Sequence, residues 1–172
     1  MAESDEVETR IRHPNREKSS SQAAKAFVGL VLLVSAVLVI VITAGGWVVL
    51  QGAQILAVLY ILIYLVMAYY VMKWSRGVLP MAAAFGIGLA VFAAIAAPGW
   101  FSRTGGTYAE AALPAPLLGT LTIVTAIVQI VLIATALVAF QQKWNLEVEE
   151  EVEDDDGRQG YGGGAQPAGA TG

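Results

Sequence analysis

The chain has 172 residues, of which 56% are hydrophobic and only 14% are charged, against about 25% charged in a typical soluble domain. It contains no cysteine, which excludes disulfides, thiolate metal sites and cysteine nucleophiles. The pI of about 4.9 comes from residues 141–172, which hold eight acidic and two basic residues. This acidic balance argues against nucleic acid as a partner.

The chain begins with a polar segment, residues 1–22, which contains Pro14 and a run of three serines. We predict that it is a disordered tail, because it has too few apolar residues to form a core. The first apolar run follows at about 26–44 and ends at Gly45-Gly46. Its leader is too long for a signal peptide, and Ile42-Thr43-Ala44 is a poor cleavage site. We therefore interpret the run as an uncleaved membrane span, with cleavage as the alternative.

Three further apolar runs follow at about 53–72, 78–97 and 117–140. Uncharged apolar runs of about 18 residues or more are typical of membrane spans. The last run would be about 36 Å long at a rise of about 1.5 Å per residue, so we expect it to tilt in a hydrocarbon core of about 30 Å. The sequence thus predicts an all-α fold, in which residues 23–146 form an up-down four-helix membrane bundle. Residues 147–172, acidic and then Gly-rich, are predicted to be a second disordered tail.

The basic residues predict which side of the membrane each end faces, because cytoplasmic flanks attract Lys and Arg. With four spans and the N-terminus inside, the inner segments hold nine of the ten basic residues, and the outer segments hold only Arg103. We therefore predict a multi-pass protein of the cell membrane with both termini in the cytoplasm. The Ala-, Val- and Gly-rich, cysteine-free composition fits a bacterial origin, and we predict that the membrane is a bacterial inner membrane. Each run also has a tryptophan at one end, as expected at headgroup level: Trp47, Trp74, Trp100 and Trp144.

The predicted spans contain no Asp, Glu, Lys, Arg or His. Proton relays, ion-coupled carriers and voltage sensors place ionisable side chains at membrane depth, so we do not expect coupled transport. The one histidine, His13, lies in the N-terminal tail, which excludes a haem held by two histidines of the same chain and a histidine metal site in the membrane. We predict no enzyme activity, no cofactor and no metal site.

The third run carries a strip of small residues, one at every fourth position: Ala82, Gly86, Ala90 and Ala94. Small residues let two helix backbones approach closely, which matters in lipid because no hydrophobic force drives helices together there. The strip predicts contact inside the bundle, which is the more general use of such strips, or association with a second copy or another membrane protein.

Gln129 lies near the middle of the fourth run. An unpaired amide in hydrocarbon is costly, so we expect it to face the bundle and to form a hydrogen bond with Ser35, Tyr60 or Tyr64. The alternative is an internal pocket, in which Gln129, Tyr60 and Tyr64 contact a lipid-like or quinone-like molecule.

Two segments flank the four runs: RHPNREK at 12–18 and FQQKWNLEVE at 140–149. Together with four spans, they resemble small uncharacterised membrane proteins of actinobacteria. The resemblance covers residues 12–149 and implies no activity, because none is assigned to that group.

From these features we predict a non-enzymatic protein of the lipid bilayer that packs with itself or with another membrane protein. The alternative is a carrier or binder of a small uncharged or amphipathic molecule in an internal pocket.

Overall fold

The computed structural model describes residues 9–12, 14–103, 110–144 and 148–151, and the chain forms two compact units. The larger unit contains a short helix α1 (Pro14–Glu17) and four long helices, α2 (Ser19–Gly45), α3 (Ala53–Met72), α4 (Val78–Phe101) and α5 (Ala115–Gln141). Each long helix is long and apolar enough to cross a membrane. The prediction of four such helices is confirmed, and their composition indicates a multi-pass membrane protein.

The smaller unit contains an antiparallel ribbon of two strands, β1 (Thr9–Arg12) and β2 (Val148–Glu151). The register pairs Arg10 with Glu150. The two strands lie within the segments 1–22 and 147–172, which the sequence predicts to be disordered tails. The two strands have opposite charge in the sequence. The rest of both predicted tails, apart from α1 and the start of α2, lies outside the described residues.

Two of the long helices extend beyond the apolar runs that predict them. α2 begins at Ser19 rather than near 26, so its first turns lie in the predicted N-terminal tail. α4 ends at Phe101 rather than near 97 and continues through Pro98. A proline removes one backbone hydrogen bond from a helix, and α4 tolerates this loss in its last turn. An apolar run therefore marks the part of a helix suited to hydrocarbon and not the full helix.

The four long helices pack unequally against one another. α4 packs along α5, and α2 packs on both α3 and α5, whereas α3 and α4 have few contacts with each other. The main core lies in the half of the bundle that contains the start of α2 and the end of α5. Its large members come from all four helices: Leu32, Tyr64, Met67, Leu79 and Leu132.

The start of α2, the end of α3, the start of α4 and the end of α5 meet at what we call the tail end of the bundle. There the Lys25 ammonium lies 4.1 Å from the centre of the Trp74 ring, and Trp74 packs edge-on against Trp144 at 5.3 Å. The Arg76 Nε donates a hydrogen bond of 2.8 Å to the Phe140 carbonyl. Carbonyls in the last turn of a helix lack partners within the helix, so Arg76 satisfies one of them for α5.

The opposite end, which we call the hairpin end, contains the connection 46–52 and the described residues between α4 and α5, 102–103 and 110–114. The Leu113 N–H donates to the Gly45 carbonyl at 3.2 Å, which holds the start of α5 to the end of α2. Gly46 leaves room for the Trp100 ring, because a Cβ added there would lie 2.6 Å from a ring carbon. The two glycines that the sequence marks as a helix break thus also permit close packing.

Candidate functional site

A buried hydrogen-bonded chain crosses the middle of the bundle and joins α2, α3 and α5. The Tyr64 hydroxyl donates to Gln129 Oε1 at 2.8 Å, and Gln129 Nε2 donates to Ser35 Oγ at 3.1 Å. The Ser35 hydroxyl in turn donates to the Val31 carbonyl at 2.7 Å. Of the three partners that the sequence offers to Gln129, the structure pairs it with Ser35 and Tyr64 and not with Tyr60. We call Ser35, Tyr64 and Gln129 the polar layer.

The small-residue strip of α4 does not form one continuous surface in the bundle. Ala82 and Gly86 are buried, Ala90 is half-buried and Ala94 is exposed. Gly86 faces α5, where an added Cβ would lie 3.2 Å from Ile133. The half of the strip nearer the tail end is therefore used for packing within the bundle, and the other half turns outward.

A cavity of about 300 Å³ lies between the polar layer and the hairpin end, and we call it the cleft. All four long helices contribute to its wall, and α3 and α4 border it where they have little contact with each other. Its volume is at the lower end of the range of ligand pockets, about 300–1,000 Å³. The wall consists of Val39, Ile42, Thr43, Leu50, Ala53, Leu56, Ala57, Tyr60, Leu89, Phe92, Ala93, Ile95, Ala96, Trp100, Thr122 and Thr125.

Tyr60 is part of the inner wall of the cleft, next to the polar layer. Its ring packs edge-on against Tyr64 and Phe85 at 5.9 Å each, and against Phe92 at 6.2 Å. The hydroxyl reaches α4 at Gly88, where an added Cβ would lie 2.7 Å from the phenol oxygen. The absence of a side chain at Gly88 lets Tyr60 cross from α3 to α4, so that its ring joins the two helices beside the cleft.

Trp100 forms part of the wall toward the hairpin end and is buried. The Arg103 guanidinium lies 4.9 Å from the centre of the Trp100 ring. The sequence analysis places Trp100 at the membrane boundary but does not identify it as a cavity residue. No sequence signal marks Thr43, Phe92 or Trp100 as neighbours, because they come from two helices that are far apart in the chain.

The predicted pocket residues therefore separate into two groups. Tyr60 lines the cleft, whereas Tyr64 and Gln129 are paired with each other and are not part of its wall.

Among the described residues, no group of three or more His, Asp or Glu side chains could hold a metal ion. The sequence matches no protein-family model, and neither the curated proteins nor the solved structures contain a significant match to the chain.

Proposed function

We propose that the protein crosses the cell membrane four times and that both of its termini are cytoplasmic. The distribution of basic residues supports this orientation. The described basic residues of the larger unit are Arg16, Lys18, Lys25, Lys73, Arg76 and Lys143 toward the tail end, against Arg103 toward the hairpin end. Large apolar side chains exposed on the outer faces of the helices, such as Ile55, Ile87 and Ile130, support contact with lipid.

The absence of cysteine makes the orientation straightforward to test with single cysteines. Gln51→Cys lies in the α2–α3 connection and Ser75→Cys in the α3–α4 connection. In intact cells, a membrane-impermeant maleimide should label Gln51→Cys at once and Ser75→Cys only after the cells are permeabilised. The opposite pattern would reverse the orientation, and labelling of both positions in intact cells would contradict the span count.

We further propose that the protein is a non-enzymatic binder or carrier of a small apolar or amphipathic molecule, which occupies the cleft. The observation that carries this proposal is a cavity of about 300 Å³ whose wall comes from all four apolar helices. The wall contains no carboxylate, histidine, lysine or arginine side chain. General acid–base catalysis most often uses a histidine, a carboxylate or a lysine in reach of the reacting atoms, so the wall favours binding over turnover.

Association with a second copy or another membrane protein receives less support from the geometry. The sequence bases that hypothesis on a continuous strip of small residues, and Ala82 and Gly86 of this strip pack within the bundle. Ala94 is the one member that is exposed, and a single alanine gives a partner helix little surface for close approach.

Photolabelling can test whether the cleft binds a ligand. Protein in lipid nanodiscs is irradiated with a medium-chain alkyl diazirine, and adducts are mapped by mass spectrometry with and without excess n-decane. Only labelling that n-decane suppresses is counted, because the outer faces of the helices also meet hydrocarbon. We expect saturable adducts on wall residues such as Leu56 and Phe92.

A matched pair of variants on α4 provides the control. Ala96→Phe places a ring in the cleft wall and should lower saturable labelling by about tenfold, the ratio given by about 1.4 kcal/mol. Ala84→Phe makes the same change at an exposed position outside the wall and should leave labelling unchanged. Saturable labelling that is spread over the outer faces, or that Ala96→Phe does not lower, would contradict the proposal.

A further inference from the structure

The wall of the cleft is buried on one side and exposed on the other. On α2 and α5, wall residues such as Val39 and Thr125 are buried inside the bundle. On α3 and α4, the wall residues Leu56 and Phe92 are 40% and 47% exposed, so they border the cleft and the outer surface at once. The cleft therefore has a floor formed by α2 and α5 and an open mouth between α3 and α4, the two helices that have few contacts with each other.

The mouth of the cleft opens sideways, between two helices that are long and apolar enough to cross a membrane. Leu56 and Phe92 lie inside these helices and not in the connections between them. In a bilayer, the molecules in front of such a mouth are the lipids themselves. An empty groove would lose the dispersion contacts that its wall atoms make when a hydrocarbon chain lies against them.

The length of the cleft matches the thickness of one leaflet. Its wall on α4 runs from Leu89 to Trp100, which is about 16 Å at a rise of about 1.5 Å per residue. Half of a hydrocarbon core of about 30 Å is about 15 Å. Trp100 lies near the end of α4, and tryptophans are enriched at headgroup level. Tyr60 lies at the other end, beside the polar layer in the middle of the bundle. The cleft thus extends from headgroup level to the middle of the membrane, as a lipid chain does.

The volume of the cleft excludes a partner helix as its occupant. A helix with its side chains is about 10 Å across, so a piece about 16 Å long would fill about 1,250 Å³. The cleft has about 300 Å³. A single unbranched hydrocarbon chain is much thinner than a helix, and its methylenes need only apolar wall atoms as neighbours.

We propose that the cleft holds one acyl chain of a membrane lipid from the leaflet at the hairpin end, and that the chain enters sideways through the mouth between α3 and α4. The headgroup then lies toward Trp100 and Arg103. The end of the chain lies toward Tyr60 and Leu89. The assignment of a lipid chain rests on the proposed ligand-binding function and specifies the class of its ligand.

Phosphatidylcholine that carries a diazirine on one acyl chain tests the proposal in nanodiscs, with adducts mapped by mass spectrometry. A lipid on the outer surface can reach exposed residues such as Ile87 and Ile130 but not the buried floor. With the diazirine at the end of the chain, we expect adducts on the deep floor residues Val39 and Thr125 as well. Adducts confined to the outer faces would overturn the proposal.

The position of the diazirine along the chain tests the orientation of the lipid. With the diazirine near the ester, the adducts inside the cleft should move toward the hairpin end, to Thr43 and Trp100. Both residues line the cleft and are buried, so a lipid on the outer surface does not reach them. The reverse order of adducts would contradict the assignment to the leaflet at the hairpin end.

The medium-chain alkyl diazirine separates failure of this proposal from failure of the proposed function. Floor labelling by the alkyl diazirine that n-decane suppresses, without any floor adduct from the phospholipid, would overturn the lipid proposal and leave small-molecule binding intact. Absence of floor adducts from both reagents would overturn both.

A matched pair of variants tests entry through the mouth. Ala96 is an exposed wall residue, and Ala84 is exposed on the same helix outside the wall. Ala96→Phe should lower the floor adducts of the phospholipid by about tenfold, as it should for the alkyl diazirine. Ala84→Phe should leave them unchanged. Equal yields of floor adducts in the two variants would contradict entry between α3 and α4.

Discussion

In the tail-end half of the bundle, large side chains from all four helices meet in one core, whereas in the hairpin-end half the same helices leave a cleft of about 300 Å³. The cleft lies where α3 and α4 have few contacts with each other. Ala53, Ala57, Ala93 and Ala96 border it and leave the space between the two helices unfilled.

The polar groups of the two halves also differ, because those of one half are hydrogen-bonded and two of those in the other half are not. In the polar layer, each side chain has a partner on another helix, and the chain of bonds from Tyr64 through Gln129 to Ser35 links three helices. At the cleft, the hydroxyls of Tyr60 and Thr43 have no partner within the described residues. Saturated packing and hydrogen bonding are typical of a structural core, and a concave, mostly apolar cavity is typical of a ligand site.

The largest expected effect comes from making the same substitution in each half of α4. Ala82 and Ala93 are 0% and 5% exposed, but Ala82 lies in the packed core and Ala93 lines the cleft. Ala82→Leu should lower the free energy of unfolding by about 1–3 kcal/mol, because extra methyl groups in a filled core cause strain. Ala93→Leu should have little effect or stabilise, because the cleft has room for them.

The measurement is SDS-driven unfolding of each variant in mixed detergent micelles. The helix propensities of Ala and Leu are close, so the pair compares packing rather than backbone preference. Equal destabilisation by Ala82→Leu and Ala93→Leu would mean that the cleft is not open space in the folded protein.

A smaller effect is expected at the polar layer, where Gln129→Leu removes the acceptor for Tyr64 and the donor to Ser35. The free energy of unfolding should fall by about 0.6–2 kcal/mol, the range for hydrogen bonds between helices in membranes. Combining it with Tyr64→Phe should cost less than the sum of the two single changes, because the tyrosine hydroxyl is then no longer buried without a partner. Strict additivity would show that the two side chains do not interact.

The smallest effect is expected at the tail end, where Arg76 donates to the Phe140 carbonyl and stacks on the Phe140 ring at 4.2 Å. Arg76→Gln should lower the free energy of unfolding by about 0.5–1 kcal/mol, through loss of the cation at the end of α5 and of its contact with the ring. Arg76→Lys should recover part of the loss. Lys73→Gln removes a neighbouring charge that lies over the Tyr69 ring of α3, and it should cost less than Arg76→Gln in the same unfolding assay.

Much of the fold could be predicted from local patterns in the chain. The four apolar runs predict the four long helices, and Pro116, just before the last run, lies in the first turn of α5, where a proline fits. The helix ends were less accurate at Ser19 and Phe101, because polar residues and a proline outside the apolar run still continue the helix. The sequence analysis did not predict the β1–β2 ribbon, because its pairing joins two segments that are far apart in the chain. Neither segment by itself has the residue pattern of a strand.

The candidate site, like the fold, could be predicted from the sequence only in part. The polar character of Gln129 in an apolar run was enough to predict a hydrogen bond across the bundle, because hydrocarbon offers an amide no other partner. The small-residue strip gave no such guide, since Ala82 and Ala94 look alike in the sequence and only the crossing of α4 and α5 buries one and exposes the other.

The amino-acid sequence by itself determined four helices suited to hydrocarbon, because long runs without charge are typical of membrane spans and can satisfy their backbone groups in lipid only as helices. The tertiary structure decided which helices touch, and therefore that α3 and α4 leave space beside Tyr60 and Thr43. A cavity is the volume that side chains from distant parts of the chain fail to fill. No local pattern records it, because it depends on the angles and spacing of all four helices at once.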